Sequence, residues 1–201
     1  MARQRAFDRD AALDSALRAF WRHGYEATSV AELTQVMGIR PPSLYAAFGD
    51  KRRLFEEVVR RFRDVYGAFT ARALTEEPTG RQAMERVLRE TAVAYTDPAH
   101  PPGCLIITAA TNCGPESAEV EELLRGFRTA AKAAFEARIR DDVSAGLLPA
   151  DTDTAALAAF YAAVIQGMST QSRDGASREH LVKVAELAMT AWPAHEVTTV
   201  R

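Results

Sequence analysis

Two consecutive prolines, Pro41 and Pro42, follow Gly38 by three residues, and nothing else in the chain restricts the fold as much. A proline has no amide hydrogen and its ring collides with the preceding helical turn, so the pair cannot sit inside a helix but is favoured in its first turn. Ahead of it, Thr28 and Ser29 precede an apolar-periodic run, and Ser29 with Glu32 makes a capping-box pattern, so one helix starts there. Val30, Leu33 and Met37 share a face of that helix, and Gly38 can take the positive φ that ends it. Ile39 and Arg40 complete a tight turn. A second helix then runs from the proline pair through Ser43, Leu44, Tyr45, Ala46 and Ala47 to Phe48, where Gly49 stops it. Asp50 reads as the N-cap of a third helix beginning Lys51-Arg52-Arg53. The spacing is that of a helix-turn-helix.

The second of these helices needs little burial. Leu44 and Phe48, at i and i+4, dock it with Ile39, which leaves Arg40, Pro41, Ser43, Tyr45, Ala46 and Ala47 on other faces. Such a helix fits a DNA major groove, where alanine meets a thymine methyl, hydroxyls reach phosphate or base edges, and arginine reads guanine. The same spacing also serves a plain helical hairpin, so by itself it leaves both readings open.

The run GYEATSVAELTQVMGIRPPSLYAAFGDKRRLFEEV, residues 24–58, resembles the N-terminal DNA-binding domain of TetR/AcrR-type transcriptional regulators. The resemblance rests on Gly24-Tyr25, Thr28-Ser29-Val30, Gly38-Ile39, Leu44-Tyr45, Phe48, Lys51 and Leu54-Phe55, in that order. It implies an all-α chain of about nine helices, with a helix-turn-helix DNA-binding domain at 1–50 and a ligand-binding and dimerisation domain at 51–201. It further implies a repressor that binds a palindromic double-stranded operator as a homodimer and is released by a small-molecule effector. The DNA-contacting set read onto this chain is Arg3, Arg5, Thr28, Ser29, Arg40, Pro41, Pro42, Ser43, Tyr45, Ala46 and Lys51. Many relatives carry a second aromatic and a histidine after the Leu-Tyr pair; Ala46 and Ala47 stand there instead, so base readout leans on Arg40, Ser43, Tyr45 and apolar contact.

Charge is divided unevenly. Residues 1–63 carry 12 Lys/Arg against 8 Asp/Glu, and residues 64–201 carry 13 against 19, a basic head on an acidic body. That is the asymmetry expected if only the head meets phosphate. Arg3 and Arg5, ahead of the first helix, make a basic arm able to reach a minor groove. The first helix opens at Asp8 and carries Leu13, Ala16, Leu17, Phe20 and Trp21 on one stripe before Gly24. With 47% apolar residues, no run of membrane-span length and no apolar leader, a cytoplasmic location is expected.

Beyond Lys51 the stripe of Leu54, Phe55, Val58, Val59, Phe62, Val65, Tyr66 and Phe69 predicts one helix running unbroken from head to body until Glu76-Glu77-Pro78-Thr79-Gly80. Another helix covers about 80–96, and DPAHPPG at 97–103 is a loop. CLIITAATNC, 104–113, reads as a short buried helix with Cys104 and Cys113 as two buried thiols on opposite faces. A long helix follows to Ser144, and two more, AALAAFYAAVIQGMS and REHLVKVAELAMTAW, close the chain. The first of that pair is apolar almost all round and must be covered on every side, which points to a second copy. Leu157, Tyr161, Val164, Ile165, Met168, Leu181, Val184, Leu187 and Ala188 are the expected interface. Phe62, Tyr66, Met84, Leu88, Tyr95, Ile107, Thr108, Asn112, Phe127 and Phe160 are the candidate effector-binding residues.

Catalytic chemistry has little support. The four histidines have no neighbours at metal-ligand spacing, and neither a nucleophile elbow nor a phosphate loop occurs, so no metal and no cofactor is expected. An enzyme would need distant residues such as Asp97, His100 and Cys104 to converge. A helical adaptor that binds protein and not DNA is the other alternative.

Overall fold

The structure, a computed structural model, describes residues 7–193 with the exception of Asn112; Arg3, Arg5 and Asn112 therefore lie outside the described residues. Ten α-helices and one 3-10 turn make up its regular structure: α1 Arg9–His23, α2 Val30–Met37, α3 Pro41–Phe48, α4 Lys51–Val65, α5 Ala68–Glu76, α6 Gly80–Tyr95, α7 Leu105–Thr108, α8 Ala118–Ser144, α9 Thr154–Arg173 and α10 Arg178–Met189. Local chemistry sets most of their starts. Asp8 accepts from the amides of Asp10 and Ala11, Ser29 from Glu32, Asp50 from Arg53, Asp153 from Ala156 and Ser177 from His180. Each cap satisfies an amide that the helix leaves unpaired, worth about 1 kcal/mol. In α2 the Glu32 carboxylate faces the His23 ring at 3.6 Å.

The expected unbroken helix after Lys51 is two helices, which raises the count from nine to ten. The amides of Tyr66 and Gly67 both reach back to the Phe62 carbonyl, so the ladder tightens and stops. A Cβ at Gly67 would lie 3.3 Å from the Arg63 Cα and carbonyl oxygen, a separation the bare glycine avoids. Val65 consequently faces solvent at 53% exposure despite its place in the apolar stripe. CLIITAATNC also forms less helix than expected: only Leu105–Thr108 is helical, with Cys104 buried, Cys113 half-buried and both thiols free.

In the head, α1, α2 and α3 close around the first half of α4, with Leu17, Phe20, Leu33, Leu44, Leu54 and Phe55 fully buried. Burying each leucine or phenylalanine contributes about 1.5–3 kcal/mol. In the body, α6 packs between α5, α9 and α10 while α8 lies against α9. Asp142 of α8, 2% exposed, accepts from the Gly80 and Arg81 amides at 2.8 and 3.2 Å and so caps α6 from a distance. Only glycine permits that approach, since a Cβ at Gly80 would sit 2.9 Å from the Arg138 carbonyl.

Three contacts tie the end of α1 to the body. The Tyr25 amide donates to the Ala109 carbonyl at 2.8 Å, Arg18 donates to the Ala99 carbonyl at 2.7 Å, and Arg173 donates to the Trp21 and Arg22 carbonyls at 3.3 Å. The head is thus joined to the body by α4 and by this seam. No helix among the described residues is long and apolar enough to cross a membrane.

Candidate nucleic-acid interface and internal cavity

The turn between α2 and α3 is built by Gly38 at φ 65°, ψ 28°. The Gly38 amide reaches the Gln35 carbonyl and the Ile39 amide the Thr34 carbonyl, at 3.2 and 3.1 Å, the paired bonds of a Schellman ending. Arg40 then serves as backbone N-cap of α3, with both prolines in the first turn. Leu44 and Phe48 are the buried residues of α3, at 0 and 3% exposure. Arg40, Pro41, Pro42, Tyr45 and Ala46 all face solvent, Ser43 is half-buried, and Tyr45 is 50% exposed. The face reserved by sequence for a partner is therefore free of packing duties. Ser29 is exposed at the head of α2 and adds to it. Gln35 and Val36 are also exposed next to the turn, and their position opposite Val30, Leu33 and Met37 was the signal that marked them.

Two expected members of that face have partners within the head. Thr28 is fully buried and donates its hydroxyl to the Gly24 carbonyl at 2.7 Å, closing the bend between α1 and α2. Its short polar side chain is consumed locally, as threonine at a helix entrance often is. Lys51 points at the Tyr25 ring, with its ammonium 4.3 Å from the ring centre. Burial lowers its pKa, partly offset by Glu26 nearby. Glu26 itself is held below the ordinary glutamate value by hydrogen bonds from the Ser117 hydroxyl and the Gly114 amide. Arg9 pairs with Glu57 at 2.8 Å and lies over the Phe48 ring, so it braces the head.

A cavity of about 340 Å³ opens in the body between α4, α5, α7, α8 and α9. Of the expected effector-binding residues, Phe62, Tyr66, Tyr95, Ile107 and Phe127 line it. Met84 and Leu88 do not: at 1 and 0% exposure they fill the core behind α6. The Thr108 hydroxyl turns back to the Cys104 carbonyl at 2.9 Å, and Phe160 stands 40% exposed on the outer side of α9. Helical phase explains both misses, because a stripe in sequence shows which residues share a face but not which neighbour the face meets. The lining also includes Arg63, Phe69, Leu74, Cys104, Arg128, Lys132, Phe135 and Gln166. Tyr95 and Cys104 share a hydrogen bond at its inner end; burial holds the phenol well above its ordinary value and pushes the thiol up.

A second hollow of about 420 Å³ lies across the Phe62, Tyr66, Phe69 and Tyr95 rings, between α1 and the 97–103 loop. His100 stacks on Trp21 there at 4.5 Å, with its Nδ1 2.9 Å from the Pro101 carbonyl oxygen. Asp97 accepts from the Ala99 amide at 2.8 Å. Asp97 and His100 are thus occupied within their own loop, and Cys104 turns to Tyr95, so these three residues form no relay.

The C-terminal helices differ from expectation in which residues they leave free. Tyr161, Met168, Leu181 and Ala188 are buried inside the chain itself; the Tyr161 hydroxyl donates to the Ala188 carbonyl at 3.4 Å and burial raises it to about 12. Leu157, Val164 and Val184 are partly buried against the same core, and Ile165 lines the cavity. Leu187, 70% exposed, is free as expected. The uncovered apolar surface is Ala155, Ala156, Ala159, Phe160 and Ala163 of α9 with Leu187 of α10. Most of the large residues went inward because the chain's own core claims volume first; four alanines remain outside with Phe160 and Leu187.

Comparison with known proteins agrees with this geometry. A profile described as "Bacterial regulatory proteins, tetR family" matches residues 12–58, and one described as "Tetracyclin repressor-like, C-terminal domain" matches residues 80–188. The chain is 35% identical to the HTH-type transcriptional repressor ComR of Escherichia coli (strain K12) over 192 residues, covering 95% of this chain and 91% of ComR. It is 28% identical to the repressor BdcR of the same strain, covering 92% of this chain and 89% of BdcR. Among solved structures, a cysteine-substituted CifR, a TetR family transcriptional regulator complexed with 26-bp double-strand operator DNA, superposes with a TM-score of 0.91 at 43% identity, covering 96% of this chain and all of CifR. With its turn, its exposed third helix and its helical body all matched, the chain belongs to the TetR family of bacterial regulatory proteins.

Proposed function

We propose that the protein is a transcriptional repressor that grips a palindromic operator as a homodimer and lets go when a small molecule fills the body cavity. The observation that carries the reading is α3: Arg40, Pro41, Pro42, Tyr45 and Ala46 are exposed while Leu44 and Phe48 alone anchor the helix. ComR and BdcR, both repressors, and the operator complex of CifR support it. Residues 1–50 serve as the DNA-binding head and 51–201 as the effector and dimer domain, with α4 shared between them.

The dimer forms through the small-residue stripe of α9, where Ala156, Ala159 and Ala163 let two backbones approach, flanked by Phe160 and Leu187. Two-fold symmetry then sets two α3 helices about 34 Å apart, one turn of DNA. An effector between α4, α5 and α8 shifts α4 and with it the spacing of the heads; to do so it needs a few kcal/mol of differential affinity for the released state.

The test is a mobility-shift titration on palindromes from the gene's own upstream region, repeated across salt concentrations. A specific, salt-sensitive complex of one dimer per palindrome is expected. Retardation equal to that of scrambled DNA would reject the reading in favour of a protein-binding role.

A further inference from the structure

The charged residues that line the body cavity are all of one sign. Arg63 comes from the last turn of α4 and Arg128 and Lys132 from adjacent turns of α8, and the lining contains neither aspartate nor glutamate. Arg128 and Lys132 stand in a stretch, residues 64–201, where acids outnumber bases 19 to 13, and Arg63 immediately precedes it. Elsewhere on the body Arg86, Arg89, Arg138 and Arg140 each pair with a carboxylate. Among the described residues, the three cavity cations have no such partner within salt-bridge distance. Arg63 lies over the Phe127 ring at 4.3 Å, and Arg128 donates one bond, to the Ile106 carbonyl at 2.9 Å. A guanidinium has five N–H donors, so most of their capacity is unspent.

The rest of the wall is apolar, with Phe62, Ile107, Phe127 and Phe135 among its residues. Arg128, half-buried beside this wall, attracts an anion more strongly than a fully solvated guanidinium would, because the local dielectric is lower, and the exposed Arg63 and Lys132 add positive charge at the mouth. We propose that the cavity takes an amphipathic monoanion, an apolar or aromatic body bearing one carboxylate or sulfonate, with its charge held among Arg63, Arg128 and Lys132. The volume is within the range of small-molecule sites. This inference rests on the effector reading above and names the chemical class for that site. Because Arg63 sits on α4, the anion's charge is read by the helix that carries the head, and pairing it draws α4 toward α8.

The test uses two fluorescent probes with one ring system: anilinonaphthalene sulfonate, and phenylnaphthylamine, which lacks the sulfonate. Each is titrated into the full-length protein, into the Arg63→Gln/Lys132→Gln double variant, into Arg128→Gln, and into Ala131→Trp, which fills the cavity. Arg63, Lys132 and Ala131 are exposed, so those changes leave the fold intact. The sulfonate probe is expected to bind at least about tenfold tighter than the neutral one, and the glutamine variants to lose about tenfold for the sulfonate probe alone. Ala131→Trp is expected to abolish both. If both probes bind equally and Ala131→Trp blocks both, the cavity is a ligand site but the anion preference is overturned. If neither binds, or Ala131→Trp changes nothing, the effector reading itself is overturned and the inference goes with it.

Discussion

In the head, Phe20, Tyr25 and Phe55 stand ring against ring at 5.0 to 6.0 Å and are closed in, whereas in the body Phe62 and Tyr66, though stacked at 5.8 Å, border open space together with Phe127. The two regions use similar residues for opposite ends. The head seals its interior so that α3 can be held rigidly with only Leu44 and Phe48 buried, and its information lies on the outside. The body leaves a hollow with cations at its wall, and its information lies inside. Rigidity suits a surface that must match a fixed partner, and a hollow suits a site whose occupant must change the shape around it.

The sharpest way to break this comparison is at the body's outer surface. Ala163→Arg places a charge on the exposed stripe of α9, and it is expected to give folded monomers by sedimentation and to lower operator affinity by about 100-fold or more, since half the contacts are lost. A dimer of unchanged affinity would move the interface elsewhere. Leu44→Ala in the sealed head is expected to cost about 3–4 kcal/mol in denaturant unfolding, against about 1 kcal/mol for Phe127→Ala beside the cavity. Equal losses would mean that the two regions are packed alike.

Asp142→Ala should cost about 2–3 kcal/mol by uncapping α6 and leaving the Gly80 amide unpaired. A change below about 0.5 kcal/mol would show that water replaces the carboxylate. Tyr45→Phe is expected to weaken operator binding about fivefold to tenfold while thermal stability stays the same. Unaltered affinity would remove the hydroxyl from the reading surface.

The smallest effect concerns Glu26. Its folded pKa lies below the ordinary 4.5, so its bonds to Ser117 and Gly114 add stability above that value and lose it as the pH falls through the folded pKa. Glu26→Gln should therefore be less stable than the parent at neutral pH, with the gap closing in acid. A gap that persists in acid would mean that the ionised carboxylate is not what Ser117 and Gly114 bind.

Helix starts were legible because caps are local: Asp8, Ser29 and Asp50 act within three residues of themselves. The turn at Gly38 and the proline start of α3 were legible for the same reason. The break at Gly67 was not, because the apolar stripe continues across it and only the tightened bonds to Phe62 end the helix. Thr28 looked like a surface hydroxyl until the Gly24 carbonyl took it. Tyr161 and Met168 looked like interface residues because periodicity cannot tell a face covered by the same chain from one covered by a second.

By itself, then, the sequence determined the kind of protein: helices of set phase, a two-helix reading unit ended by glycine and started by proline, and a basic head on an acidic body. Those features depend on backbone geometry and on neighbours a few residues away, which composition and spacing encode directly. Only the tertiary structure decided that Arg63, Arg128 and Lys132 share one hollow, that Asp142 caps a helix more than sixty residues away, and that on α9 a row of alanines with Phe160 remains uncovered while Tyr161 and Met168 do not. Such outcomes depend on how volumes fit when distant helices meet, and that competition for space has no signature in any short stretch of chain.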